Sequence, residues 1–108
     1  MLTKKQISNI KSDFFGATTS SDFPLVFQAL GDSGRFNIFR LLIDYHDICV
    51  TDVANIFGIT VSAASQQLRV LERLGLVVRM RMGQKVCYDI NQKNPITKQL
   101  VNLLKESK

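Results

Sequence analysis

The sequence predicts a mainly α chain with one small β-hairpin, in the order five helices, two strands, one helix. Three observations predict it. The stretch TDVANIFGITVSAASQQLRVLERLGLV (51–77) places apolar residues at helical spacing on both sides of Gly58, which reads as two helices joined by a tight turn. Residues 76–82 and 85–90 are β-rich and flank Gly83 and Gln84, a two-residue hairpin signal. A last helical pattern follows the hairpin. A helix-turn-helix followed by such a hairpin is a winged helix-turn-helix.

Each element has a local reason. In 3–15, Ile7, Ile10 and Phe14 share one helical face, so a short helix is expected. GATTSS (16–21) is a breaker and divides an N-terminal arm, 1–21, from a winged-helix domain, 22–106. Asp22 is placed to cap the next helix, with Pro24 in its first turn and Val26, Phe27 and Leu30 along it. Asp32 or Ser33 opens another, with Ile38, Phe39, Leu42 and Ile43 inward. Residues 44–48 read as a polar connection. Thr51 or Asp52 is expected to cap a short helix that ends at Gly58, and Ile59 to plug the turn. Thr60 caps a longer helix whose apolar stripe is Val61, Ala64, Leu68, Leu71 and Leu74. Asn94 and Pro95 start the final helix, which carries Ile96, Leu100, Val101 and Leu104. The apolar face of that helix calls for a partner, and a second copy of the chain fits. The N-terminal helix is expected to wrap the partner subunit.

The chain has 108 residues, one domain by length, with 45% hydrophobic content and a net charge of +5. The charge is uneven. Residues 13–52 hold six acids against Arg35 and Arg40, whereas 53–108 hold nine bases against Glu72, Asp89 and Glu106. The positive half coincides with the helix-turn-helix and hairpin, which suits a polyanion. No apolar run approaches the ~20 residues that span a bilayer. Polar residues from Gln6 to Lys11 interrupt any signal-peptide pattern, so no membrane association and a cytoplasmic location are expected.

The polar face of the helix after Thr60 carries Ser62, Ala63, Ser65, Gln66, Arg69 and Arg73, and the hairpin carries Arg79, Arg81, Gln84 and Lys85. Gln can pair with adenine, Ser with several base edges, Arg with guanine or phosphate, and residues near a recognition helix's N-terminus reach bases first. Double-stranded DNA is the expected partner. A solvated helix face and a charged edge hairpin are the bland alternative for any single residue.

The segments ALGDSGRFNIFRLL (29–42), ICVTDVA (48–54), ITVSAASQQLRVLERLGLV (59–77) and RMGQKVCYDI (81–90) resemble the ArsR/SmtB family. The most specific parts are S-x-x-L-x-V-L-x-x-L-G-L-V and the hairpin's G-x-x-V-x-Y. The resemblance implies a winged-helix transcriptional repressor. It implies a homodimer through the first and last core helices, and a pseudo-palindromic operator whose major groove takes the helix after Thr60. It also implies release of DNA when an effector binds. The sensor region departs from the family. Where a Cys-x-Cys-type pair supplies metal ligands, this chain reads CVTD (49–52), keeping Cys49 and Asp52 but placing Thr51 at the second cysteine. The final helix, NPITKQLVNLLKE (94–106), lacks the histidines of the family's interface zinc site. Ser33 and Gly34 replace a Pro-Thr-like pair. The family's usual metal sites are therefore expected to be missing, no cofactor is implied, and no effector is identified.

Asp44, His46, Cys49 and Asp52 remain the candidate metal ligands, since zinc or nickel accepts His, Cys and carboxylate. A polar loop with a small buried cysteine is the commoner reading of such a segment. Cys49 and Cys87 are candidate redox thiols. They are 38 positions apart, and the sequence offers nothing to bring them together, so a disulfide within the subunit is not expected. The phenylalanines read as core or dimer interface. Two other function classes stand beside DNA reading: a winged-helix protein-interaction module and a thiol- or metal-responsive regulator using Cys49. An enzyme is disfavoured, since no Gly-rich phosphate loop or paired-carboxylate signal is present.

Overall fold

Each helix starts where the local chemistry lets it, in a computed structural model that describes residues 1–16 and 22–106. Helix α1 (Lys4–Gly16) is capped reciprocally: Thr3 Oγ1 accepts from the Gln6 N–H at 3.1 Å, and Gln6 Oε1 accepts from the Thr3 N–H at 2.8 Å. None of its residues is buried, and Ile7, Ile10 and Phe14 are exposed. The joint expected at 16–21 lies, apart from Gly16, outside the described residues.

Helix α2 (Phe23–Leu30) begins at Asp22, but the Asp22 side chain makes no capping bond. Pro24 in the first turn sets the helical φ there instead. Helix α3 (Ser33–Asp44) has a true cap, Asp32 Oδ1 accepting from the Arg35 N–H at 2.9 Å. Helix α4 (Val50–Phe57) starts earlier than the sequence suggests. Its N-cap is Cys49, and Asp52 lies inside the first turn, its Oδ2 accepting from the Cys49 N–H at 2.9 Å. Gly58, at φ 65°, ends it in the left-handed conformation that an L side chain resists. Helix α5 (Val61–Arg73) is capped by Thr60, whose Oγ1 accepts from the Ala63 N–H at 3.0 Å.

The connection between α3 and α4 is not wholly irregular. A two-residue strand, β1 (Ile48–Cys49), pairs antiparallel with β3 (Lys85–Ile90), which pairs on its other side with β2 (Val77–Met82). The sheet order is β1-β3-β2. Its register sets Ile48 opposite Tyr88 and Cys49 opposite Cys87, and the hairpin closes with Met82 opposite Lys85. Helix α6 (Pro95–Glu106) follows.

The core gathers Val26, Ile38, Phe39, Leu42, Val53, Ala64, Leu68, Leu71, Leu76, Tyr88, Leu100 and Val101 from five helices and the sheet. Two expectations fail here. Ile59 does not plug the turn, and Val61 leaves the apolar stripe of α5: both are exposed, Val61 at 52%. Each flanks Thr60, where the chain enters α5 on the outer side of the crossing with α4. Phe39 is the one phenylalanine buried among the described residues, and Phe14, Phe15, Phe23 and Phe27 are exposed.

Between α5 and β2, one carbonyl organises the join to α6. Gly75, at φ 77°, presents its oxygen to three donors: Asn91 Nδ2 and Asn94 Nδ2, each at 2.9 Å, and the buried Thr97 Oγ1 at 3.2 Å. A carbonyl that turns inward at a helix end needs partners, because a buried unpaired oxygen costs about 1–3 kcal/mol.

Candidate nucleic-acid interface

The α4–turn–α5 unit holds its outer face rigid because its inner face is dry: Val53, Ala64, Leu68 and Leu71 are buried. The small Ala54 and Ala64 let the two helices cross closely. Ser62, Gln66, Arg69 and Arg73 are left exposed on α5, with Ala63 and Ser65 half-buried beside them.

Between α4, α5 and the hairpin lies a cleft of about 320 Å³. Ser65 and Arg69 of α5, Arg79 of β2, and Gln84 and Lys85 at the hairpin end of β3 all line it. Cys49, Thr51 and Tyr88 share the rest of its wall with Val50, Val61 and Val86. Arg69 also borders two further grooves. One runs along α5 with Val61, Ser62, Ser65 and Gln66; the other runs with Arg35, Gln66, Gln67, Val70 and Arg73. A polar surface therefore runs from the start of α5 to Arg69, where it becomes cationic and continues onto the wing through Arg79 and Lys85. Arg81 lies one repeat beyond Arg79 on β2, and a separate hollow is bordered by both with Met80 and Val86. Arg73 stands at the far end of α5 from Thr60, so the predicted residues divide into a central group and a flanking one.

Electrostatics joins the helix to the wing. Glu72 Oε2 lies 3.9 Å from Arg79 Nε, an exposed pair that ties β2 back to α5. Tyr88 is buried, and its phenol is pushed above the ordinary 10.0 by burial first and then by the Glu72 carboxylate, against the lowering effect of Arg79 and Arg69. The hydroxyl therefore stays neutral at physiological pH. Sequence reasoning singled out neither Glu72 nor Thr51 for the site: Thr51 enters it from the start of α4, and Glu72 of α5 borders it only because β2 packs beside that helix and brings Arg79 within reach.

The candidate metal ligands do not converge. Cys49 is bonded to Cys87 in a disulfide, and the Asp52 carboxylate is used at the start of α4. His46 Nδ1 faces Asp89 Oδ1 at 3.8 Å, and no cluster of three or more metal-ligating groups occurs among the described residues. The segment is a turn: Asp47 sits at φ 54°, and its N–H donates to Asp89 Oδ1 at 2.8 Å. The disulfide overturns the expectation that the two thiols lie apart. The cause is β1, which the polar composition of 44–48 hides and which sets Cys49 directly across from Cys87.

Comparison with known proteins agrees with this geometry. Residues 32–78 match the model of the bacterial regulatory protein, arsR family. The cadmium resistance transcriptional regulatory protein CadC homolog of Staphylococcus aureus is 38% identical over 80 residues, 74% of this chain and 64% of that relative, so the chain spans less than two thirds of its length. Among solved structures, HlyU from Vibrio cholerae N16961 superposes with a TM-score of 0.68 at 26% identity, over 79% of this chain and 89% of HlyU. The transcriptional repressor PagR of Bacillus anthracis does so with a TM-score of 0.64 at 25% identity, over 77% and 92%.

Proposed function

We propose that the chain is a member of the ArsR/SmtB family, whose model it matches over residues 32–78, and that it is a cytoplasmic, homodimeric repressor that reads a pseudo-palindromic operator. Arg69 carries the reading: it joins the polar face of α5 to the cleft against the wing, which makes one cationic surface of two elements. Thr60, Ser62, Ala63, Ser65 and Gln66 would meet base edges in the major groove, with Arg69 and Arg73 on bases or phosphates. Arg79, Arg81, Gln84 and Lys85 would follow the backbone or minor groove. Two copies of α5 would enter successive major grooves, roughly 34 Å apart. The exposed Phe23, Leu25, Phe27 and Leu103 on α2 and α6 supply apolar area for pairing, and α1 with its exposed Ile7, Ile10 and Phe14 would wrap the partner. No helix among the described residues is long and apolar enough to cross a membrane. Repression rather than activation is favoured because PagR bears that description.

The test is fluorescence anisotropy of the purified chain with the duplex upstream of its own gene, against a scrambled duplex, at several salt concentrations. A preference of about 10³-fold or more establishes a specific regulator. Equal, steeply salt-dependent binding to both duplexes would favour a protein-interaction module.

A further inference from the structure

We propose that the Cys49–Cys87 disulfide is a reversible switch opened through the basic cleft, where an anionic low-molecular-weight thiol attacks Cys49 and bound DNA blocks the attack. The proposal rests on the DNA reading above. Cys87 is fully buried, whereas Cys49 is half-buried and lines the cleft. Approach to the sulfur pair therefore comes from the cleft, at Cys49. Arg69, Arg79 and Lys85 surround that route and draw in an attacking thiolate that carries carboxylates. The same three side chains would hold DNA phosphates, so the two ligands compete for one space.

The chemistry balances as ordinary exchange. A first thiolate bonds to Cys49 Sγ, the Cys49–Cys87 bond breaks, and Cys87 leaves as a thiolate that takes a proton from water. A second thiolate attacks the reagent's own sulfur in the mixed disulfide and releases Cys49, which is protonated in turn. Two thiols are oxidised to one small disulfide, and the protein gains two electrons and two protons. The reverse reaction uses a low-molecular-weight disulfide as oxidant.

The bond is the one covalent tie between β1 and the wing, beside a two-residue ladder and the Asp47 N–H bond to Asp89 Oδ1. Strand β1 has two residues, and Cys49 is also the N-cap of α4. The disulfide thus clamps the start of the helix-turn-helix to the inner strand of the hairpin. A clamped head is pre-organised for the groove, and ordering a loose one would subtract from affinity. The oxidised form is the tight binder. A disulfide in a protein working beside cytosolic DNA is of the redox-sensing kind.

Two measurements test this on the full-length chain. The rate of disulfide reduction by glutathione, 2-mercaptoethanol and cysteamine, compared at equal thiolate concentration, should fall in that order from anionic to cationic. Saturating operator duplex should slow it. Operator affinity, read by anisotropy on oxidised and chemically reduced protein, should fall about tenfold on reduction, within the usual range of allosteric coupling. The double variant Cys49→Ser with Cys87→Ser should match the reduced form, and the wild-type comparison stands even if that variant folds poorly. Equal affinity in the two redox states overturns the proposal. Reduction rates indifferent to thiol charge or to DNA also overturn it, as do two free thiols in protein held under air. If neither form prefers operator to scrambled duplex, the DNA reading fails and the DNA-linked switch falls with it. The rates without DNA then still decide whether the cleft is the route to Cys49.

Discussion

Arg35 Nε donates to Gln67 Oε1 at 2.8 Å while its Nη1 donates to the Ala29 carbonyl at 2.9 Å. One guanidinium therefore joins the end of α2 and the start of α3 to the middle of the helix proposed to read DNA. Gln67 is one residue from Gln66 and two from Arg69, so this contact fixes the rotation of the face they occupy.

Arg35→Ala should lower stability by about 1–2 kcal/mol, the worth of a charged hydrogen bond that is partly solvated. Gln67→Ala should cost less, and the double variant should cost less than the sum of the two singles. Urea unfolding of the four proteins in a double-mutant cycle checks this; strict additivity would mean that the contact contributes nothing.

Gly75→Ala should destabilise far more than Gly83→Ala. Both glycines have positive φ, 77° and 66°, so each alanine meets about 1–2 kcal/mol of backbone strain. At Gly75 the new Cβ would also lie 2.7 Å from Asn94 Nδ2, which donates to the Gly75 oxygen, whereas at Gly83 nothing lies within 4 Å. Thermal midpoints of the two variants decide it, with Gly75→Ala the lower by several degrees.

Glu72→Gln should tighten DNA binding. Glu72 holds Arg79 at 3.9 Å beside the cleft, and its charge opposes phosphate. Because the pair is exposed, its loss should change stability by less than about 1 kcal/mol. A several-fold gain in affinity at low salt, shrinking as salt rises, is the expected titration; weaker binding would show that Glu72 positions Arg79 rather than restrains it.

Tyr88→Phe should change alkaline stability alone. The folded state keeps the phenol protonated above its ordinary 10.0, first through burial. The stability this contributes is complete below pH 10.0 and is lost as pH rises toward the folded value, where the unfolded chain ionises first. Denaturant midpoints of the native protein should therefore fall more steeply above that pH than those of the variant. Parallel curves would refute the assignment.

The helices were legible because their signals are local. Asp32 and Thr60 cap where their side chains can reach the next turn, Gly58 takes a positive φ that other residues resist, and Ala64, Leu68 and Leu71 recur at helical spacing. The hairpin around Gly83 and Gln84 was legible for the same reason, and with it the list of polar residues on α5 and the wing. Asp22 does stand at the N-cap of α2 as its residue type suggests, but without the side-chain bond, because a capping residue type favours a position and does not secure a bond.

Pairings between distant segments were left to the tertiary structure. Strand β1 has two residues, too few to show alternation, and it exists only because β3 offers it an edge. From that pairing come the Cys49–Cys87 bond, the start of α4 at Val50 and the failure of the candidate metal ligands to meet. The same holds for the cleft that joins Arg69 to Arg79 and Lys85, and for the exposure of Ile59 and Val61. The sequence by itself determined which residues are helical, which are apolar and where the positive charge lies, because those follow from each residue and its near neighbours. Only the tertiary structure decided which sulfur meets which and which cations share a surface, because those depend on the register of strands almost forty residues apart, which no local preference encodes.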